Sequence, residues 1–110
     1  MGLFDLFKKK FETISPEAAK ALQESGAVLV DVRESHEYKN FHAPGAKLIS
    51  LGVLERRLKE IPSEREILVV CQSGMRSSQA AGILSKNGYQ VKNVAGGMSA
   101  WQRAGLKVVR

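Results

Sequence analysis

Cys71-Gln72-Ser73-Gly74-Met75-Arg76-Ser77 contains the chain's only cysteine, and its neighbours suit a nucleophilic thiolate. An ordinary thiol, with a pKa of about 8.5, is only a few per cent ionised at neutral pH. Loop N–H groups turned inward, a helix N-terminus and a guanidinium all favour negative charge on sulfur. A helix end alone contributes up to about 2 kcal/mol in a partly buried site, roughly 1.5 pKa units. Gly74 permits a positive φ, so that successive N–H groups turn toward one point. Arg76 offers a planar fork for an oxyanion, and Ser77 offers a helix cap. For a lone cysteine the alternative is a buried structural thiol. A glycine three residues on, and Arg-Ser leading into a helix, favour the reactive reading.

The elements around this loop must present it. Residues 67–70 form a short apolar, β-branched run that reads as a buried strand. Residues 78–88 follow a helical pattern closed by Gly88. The cysteine therefore sits where a strand ends and a tight loop enters a helix, the corner at which open α/β sheets bind ligands. Asp31 ends another apolar strand, residues 28–32, on the same carboxyl edge. A buried carboxylate there needs a partner, which Arg33 or Arg76 could supply. A structural ion pair that frames the site is the favoured role, ahead of proton transfer.

The remaining segments alternate between strand and helix. Residues 11–14 read as a first strand, and Ser15-Pro16-Glu17 as a capped helix start with a stop at Gly26. Residues 34–39 form a short helix, and 48–49 a brief third strand. Ser50 opens a helix with Leu51, Leu54, Leu58 and Ile61 on one face, ended by Pro62. Residues 89–94 are the fifth strand, and Gly96-Gly97 turns into a last helix holding Trp101 as a core anchor. Such alternation implies an α/β fold with a parallel sheet covered on both faces.

Length and composition fit one soluble domain: 110 residues, 44% apolar and 25% charged. A single cysteine excludes an internal disulfide framework and suits a reducing cytoplasm. No apolar run reaches the length of a membrane span, and Asp5 and Lys8 interrupt any signal-peptide core. Seventeen Lys and Arg against 11 Asp and Glu give a net charge of +6. No nucleic-acid-binding motif accompanies that charge and aromatics are few, so the expected partners are small anions and an acidic protein. Residues 1–10 are set apart as an amphipathic extension to a domain spanning 11–110. Leu3, Phe4, Phe7 and Phe11 recur at helical spacing among Asp5 and Lys8-Lys9-Lys10. Packing on the domain or on a second copy is favoured over membrane contact, because the segment is short.

Cys-x-x-Gly-x-Arg-Ser resembles the active loop of single-domain rhodaneses, sulfurtransferases that carry sulfur as a cysteine persulfide. Asp31-Val32-Arg33-Glu34-Ser35-His36-Glu37-Tyr38, continuing to His42-Ala43-Pro44-Gly45-Ala46, is similar to that family's D-V-R-E-x-x-E-[FY]…G-H-I-P-G-A segment. Gly96-Gly97-Met98-Ser99-Ala100-Trp101-Gln102-Arg103-Ala104-Gly105 is similar to its closing G-G-x-x-A-W-x-x-A-G. Phe41, Ala43 and Lys107 depart from the usual Gly, Ile and Pro, and none lies in the cysteine loop. The resemblance implies a three-layer rhodanese-like domain with a central, mainly parallel five-stranded sheet and helices on both faces. It implies Cys71 as the catalytic nucleophile, with Gln72, Ser73, Gly74, Met75, Arg76 and Ser77 around the substrate. Asp31, Arg33 and His42 would support them, His42 mainly as a hydrogen-bonding loop residue, while His36 is read as a solvated surface residue. No cofactor is implied. The donor would be a small anion such as thiosulfate, and the acceptor an external thiol or protein, since no second cysteine is available. Two histidines and one cysteine far apart match no metal-ligand spacing.

Two other readings remain. Related-fold phosphatases and arsenate reductases use C-x5-R, whereas Cys71 to Arg76 is C-x4-R. The shorter loop fits one sulfur better than a tetrahedral oxyanion. A non-catalytic persulfide carrier or protein-binding module is the second, and residue types alone do not separate it from an enzyme.

Overall fold

The computed structural model describes residues 11–110; the amphipathic segment expected at residues 1–10 lies outside them. In chain order the elements are β1 (Glu12–Ile14), α1 (Pro16–Glu24), β2 (Val28–Asp31), α2 (Ser35–Asn40) and β3 (Lys47–Leu48). Then come a 3-10 segment (Leu51–Glu60), β4 (Ile67–Val70), α3 (Met75–Lys86), β5 (Val91–Val94) and α4 (Gly97–Arg103). The strands form one parallel sheet in the order β1-β5-β4-β2-β3.

β4 lies at the centre, which explains its unbroken apolar sequence: all four residues are buried. Its side chains alternate between two cores, as the period of a strand requires. Ile67, Val69 and Cys71 pack with Ala80, Ala81 and Leu84 of α3 and with Leu54 and Ile61. Leu68 and Val70 pack on the opposite face with Ala19 of α1 and Met98 and Trp101 of α4. Trp101 is fully buried and donates its indole N–H to the Lys107 carbonyl at 2.9 Å. Fully burying one such large apolar side chain stabilises the fold by roughly 1.5–3 kcal/mol. α1 starts as its sequence dictates, with the Ser15 hydroxyl accepting from the Ala18 N–H at 3.1 Å and Pro16 in the first turn.

Several element ends shift by one or two residues from the sequence reading, and two larger differences each have a physical reason. The segment after Ser50 is 3-10 rather than α, with a break at Arg57 (φ −119°, ψ 19°). Its apolar residues fall in pairs three apart, Leu51–Leu54 and Leu58–Ile61, which is the 3-10 period. The Tyr89 hydroxyl donates to the carbonyls of Leu58 and Ile61 and so satisfies the end of this segment from outside. α3 begins at Met75, three residues earlier than its apolar pattern suggests. Gly74, at φ +111°, occupies the cap position that Ser77 was expected to hold, and Ser77 lies inside the first turn. No helix among the described residues is long and apolar enough to cross a membrane.

Candidate active site

β4 delivers Cys71 to the carboxyl edge of the sheet, and α3 leaves directly beyond it. Between them the backbone must reverse within three residues, which the positive φ of Gly74 allows without steric cost. The reversal turns the Gly74 N–H onto the Cys71 sulfur at 3.0 Å. The buried Ser77 hydroxyl, in the first turn of α3, stands 3.4 Å from the same sulfur and 3.2 Å from the Gly74 carbonyl. Burial pushes the Cys71 thiol up. The Ser77 hydroxyl and the backbone N–H groups of Ser77, Gly74 and Ser73 outweigh it and leave the thiol below its ordinary value. A cradle of uncharged donors at a helix start thus stabilises the anion.

Arg76 is placed differently from the sequence expectation of a fork open to an oxyanion. Its Nη1 and Nη2 donate to the two carboxylate oxygens of Glu37, at 2.7 and 3.0 Å. The Arg76 guanidinium beside Glu37 holds that carboxyl at about 2, well below the carboxylate range. Met75, next to it, is 79% exposed at the start of α3.

Asp31 and Arg33 form the framing ion pair, and Arg33, not Arg76, is the partner of Asp31. The Arg33 Nε donates to both Asp31 oxygens at 3.1 Å, and Nη2 donates to Oδ2 at 2.9 Å. Both side chains are buried. Arg33 also donates to the Phe41 carbonyl at 2.7 Å and to Gln72 Oε1 at 3.1 Å. Gln72 passes the connection on, its amide donating to the Ser99 hydroxyl at 2.9 Å. The Gln72 side chain therefore braces the loop between β2 and α4. His42 stacks on Tyr38, with ring centroids 3.7 Å apart, and its Nδ1 pairs with the Tyr38 carbonyl at 2.8 Å. Its backbone exchanges two hydrogen bonds with Val109, each 2.8 Å, which ties the loop to the C-terminal segment. His36 is exposed.

Four contributors escaped the sequence reading. Glu37 lay within the Asp31–Tyr38 motif without a role, although an acid there can meet an arginine only through the fold. Ser99 and Gly97 lay in the closing motif, read for its turn and its tryptophan. A Cβ on Gly97 would come within 2.3 Å of the Cys71 carbonyl oxygen, so the start of α4 lies directly against the loop. Asn93, buried on β5, donates to the Gly74 carbonyl at 3.4 Å, and nothing in its local sequence marks it. Among the described residues, no group of three or more His, Cys, Asp or Glu could hold a metal ion.

Comparison with known proteins places this geometry. The family model of the rhodanese-like domain matches residues 15–104. The chain belongs to the rhodanese-like family. This rhodanese-like domain is 43% identical to a protein of Bacillus subtilis named putative sulfur carrier protein YrkF, covering 80% of this chain and 49% of that one. It thus spans about half the length of that relative. It is 39% identical to a protein of Allochromatium vinosum named sulfurtransferase, covering 74% of this chain and 78% of that one. It is 35% identical to thiosulfate sulfurtransferase GlpE of Pseudomonas syringae pv. syringae, covering 84% and 89%. Among solved structures, a rhodanese-related protein from Thermoplasma volcanium superposes with a TM-score of 0.84 at 25% identity, over 90% of this chain and 98% of that one. Reduced Bacillus anthracis CoADR-RHD superposes at 0.80 with 38% identity over 84% of this rhodanese-like domain, which spans 16% of that longer chain.

Proposed function

We propose that this rhodanese-like domain is a cytoplasmic sulfurtransferase that moves sulfane sulfur from thiosulfate or another persulfide donor to an external thiophile, through a persulfide on Cys71. The observation that carries the reading is the Cys71 sulfur, with the Gly74 N–H at 3.0 Å and the Ser77 hydroxyl at 3.4 Å, at the junction of β4 and α3. Relatives named sulfurtransferase and thiosulfate sulfurtransferase support the same reading. In the first half-reaction the Cys71 thiolate attacks the outer sulfur of the donor. A new S–S bond forms, the donor's S–S bond breaks, and its electron pair leaves with sulfite or a thiolate. The persulfide anion, one sulfur longer, stays within reach of the N–H cradle. In the second half-reaction cyanide, a thiolate or a protein thiol attacks the terminal sulfur, and Cys71 leaves as the thiolate. The chain's only cysteine is then occupied, so the acceptor comes from outside.

A two-step transfer of this kind gives ping-pong kinetics. Initial rates over a grid of thiosulfate and cyanide concentrations should fall on parallel double-reciprocal lines, and Cys71→Ser should abolish them. Intersecting lines that persist in the serine variant would exclude the mechanism.

The similarity to a putative sulfur carrier favours a second reading, in which Cys71 is loaded by a partner and turnover with small molecules is incidental. Under it, loading by a protein persulfide would outpace loading by thiosulfate by orders of magnitude.

A further inference from the structure

The two arginines that flank the cysteine loop in the described residues, Arg33 and Arg76, are both already engaged. Arg33 is buried and held by Asp31, the Phe41 carbonyl and Gln72. Arg76 turns both terminal nitrogens onto Glu37 in the two-point geometry that binds carboxylates and other flat oxyanions most tightly. The negative charges of Cys71 and of a second carboxylate, Glu34, also act on Arg76 through space. The donors that face the sulfur itself are the Gly74 N–H and the Ser77 hydroxyl, both uncharged. They suit a charge spread over sulfur.

Resting on the sulfur-transfer reading above, we propose that Glu37 is a specificity-determining residue: by occupying the Arg76 fork it disfavours thiosulfate and selects the persulfides of small organic thiols as donors. Thiosulfate is a dianion whose sulfonate must compete with Glu37 for Arg76. The persulfide of an otherwise uncharged thiol carries at most one charge, on its outer sulfur, the atom that joins Cys71. Its reaction is balanced without any further cation. The Cys71 thiolate attacks the outer sulfur of R–S–SH, the R–S to S bond breaks, and R–S⁻ leaves with the pair while Cys71–S–SH retains the proton.

The test is steady-state kinetics with thiosulfate and with 2-hydroxyethyl persulfide, which has no carboxylate to bind the fork, on wild-type protein, Glu37→Gln, Glu37→Asp and Glu37→Gln/Arg76→Ala, with intact mass to record sulfur loading on Cys71. Freeing the fork should lower the KM for thiosulfate by about 10-fold or more in Glu37→Gln, the scale of one charge-assisted contact, with kcat within a few-fold. The KM for the persulfide should stay within about two-fold, since no contact to it is gained. Glu37→Asp, which keeps the charge on a shorter arm, should fall between, and the double variant should lose the gain. Glu37 acting only as a structural tie would instead lower kcat for both donors together. Sulfur loading on Cys71 with an unchanged or higher thiosulfate KM in Glu37→Gln would overturn the selectivity role and leave sulfur transfer intact. No loading of the wild-type protein by either donor would overturn both.

Discussion

The backbone N–H of Met98 donates to the carbonyl oxygen of Cys71 at 2.7 Å, and Ser99 does the same to Gln72 at 3.1 Å. The first turn of α4 thus holds the nucleophile's own peptide group, on the side opposite the donors to its sulfur. This close approach is open only to glycine at position 97, whose φ is +59° and whose added Cβ would also lie 2.5 Å from the Gln72 carbonyl oxygen.

Gly97→Ala should therefore push α4 away from the loop. We expect a loss of about 1–3 kcal/mol of stability, from backbone strain and the forced separation, together with a clear fall in thiol reactivity. Denaturant unfolding and alkylation rates measure the two effects. An alanine variant of wild-type stability and reactivity would show that the α4 contact is incidental.

The thiol should titrate below its ordinary value, and Ser77 should be one reason. Alkylation of Cys71 proceeds through the thiolate, so its rate climbs with pH and levels off above the thiol pKa. A lowered pKa moves the midpoint to lower pH. Ser77→Ala removes one donor to the anion while burial remains, so its midpoint should move up, toward higher pH. Rates against pH for the two proteins provide the comparison, and coincident midpoints would remove the hydroxyl from the account.

What the sequence disclosed, and what it did not, follows from how local each feature is. The strand before Cys71, the positive φ of Gly74 and the stop at Gly88 are matters of residue type and immediate neighbours, and they were legible. The 3-10 segment was not, because Leu51, Leu54, Leu58 and Ile61 satisfy helical and 3-10 spacing alike, and Tyr89, remote in sequence, completes its end. The partner of Arg76 was hidden for the same reason: Glu37 lies 39 residues away and reaches it only after β2 and β4 pair. With Asp31, two partners stayed open until the geometry chose Arg33, two residues on.

Removing Arg33 should be costly because it leaves Asp31 charged, buried and unpaired. Arg33→Met should destabilise the domain by about 3–5 kcal/mol, and Asp31→Leu/Arg33→Met should recover part of it. Thermal or urea unfolding of the single and double variants decides this. A single variant within about 0.5 kcal/mol of wild type would mean the pair contributes little.

Loop length should set the reaction class. With four residues between Cys71 and Arg76, and with the Arg76 fork on Glu37, the loop presents its donors to one sulfur rather than to a phosphoryl group. Incubation with aryl phosphates should release no phosphate above the Cys71→Ser background. Efficient hydrolysis that requires Cys71 would move the protein into phosphatase chemistry.

The central claim is that Cys71 itself carries the transferred sulfur, and intact mass spectrometry tests it most directly. Purified protein treated with thiosulfate or glutathione persulfide should become heavier by one sulfur atom. Cyanide should restore the original mass, and Cys71→Ser should acquire nothing under the same conditions. Wild-type protein that turns over a sulfur donor while its mass never changes, or a serine variant that gains and releases the same sulfur, would contradict the account.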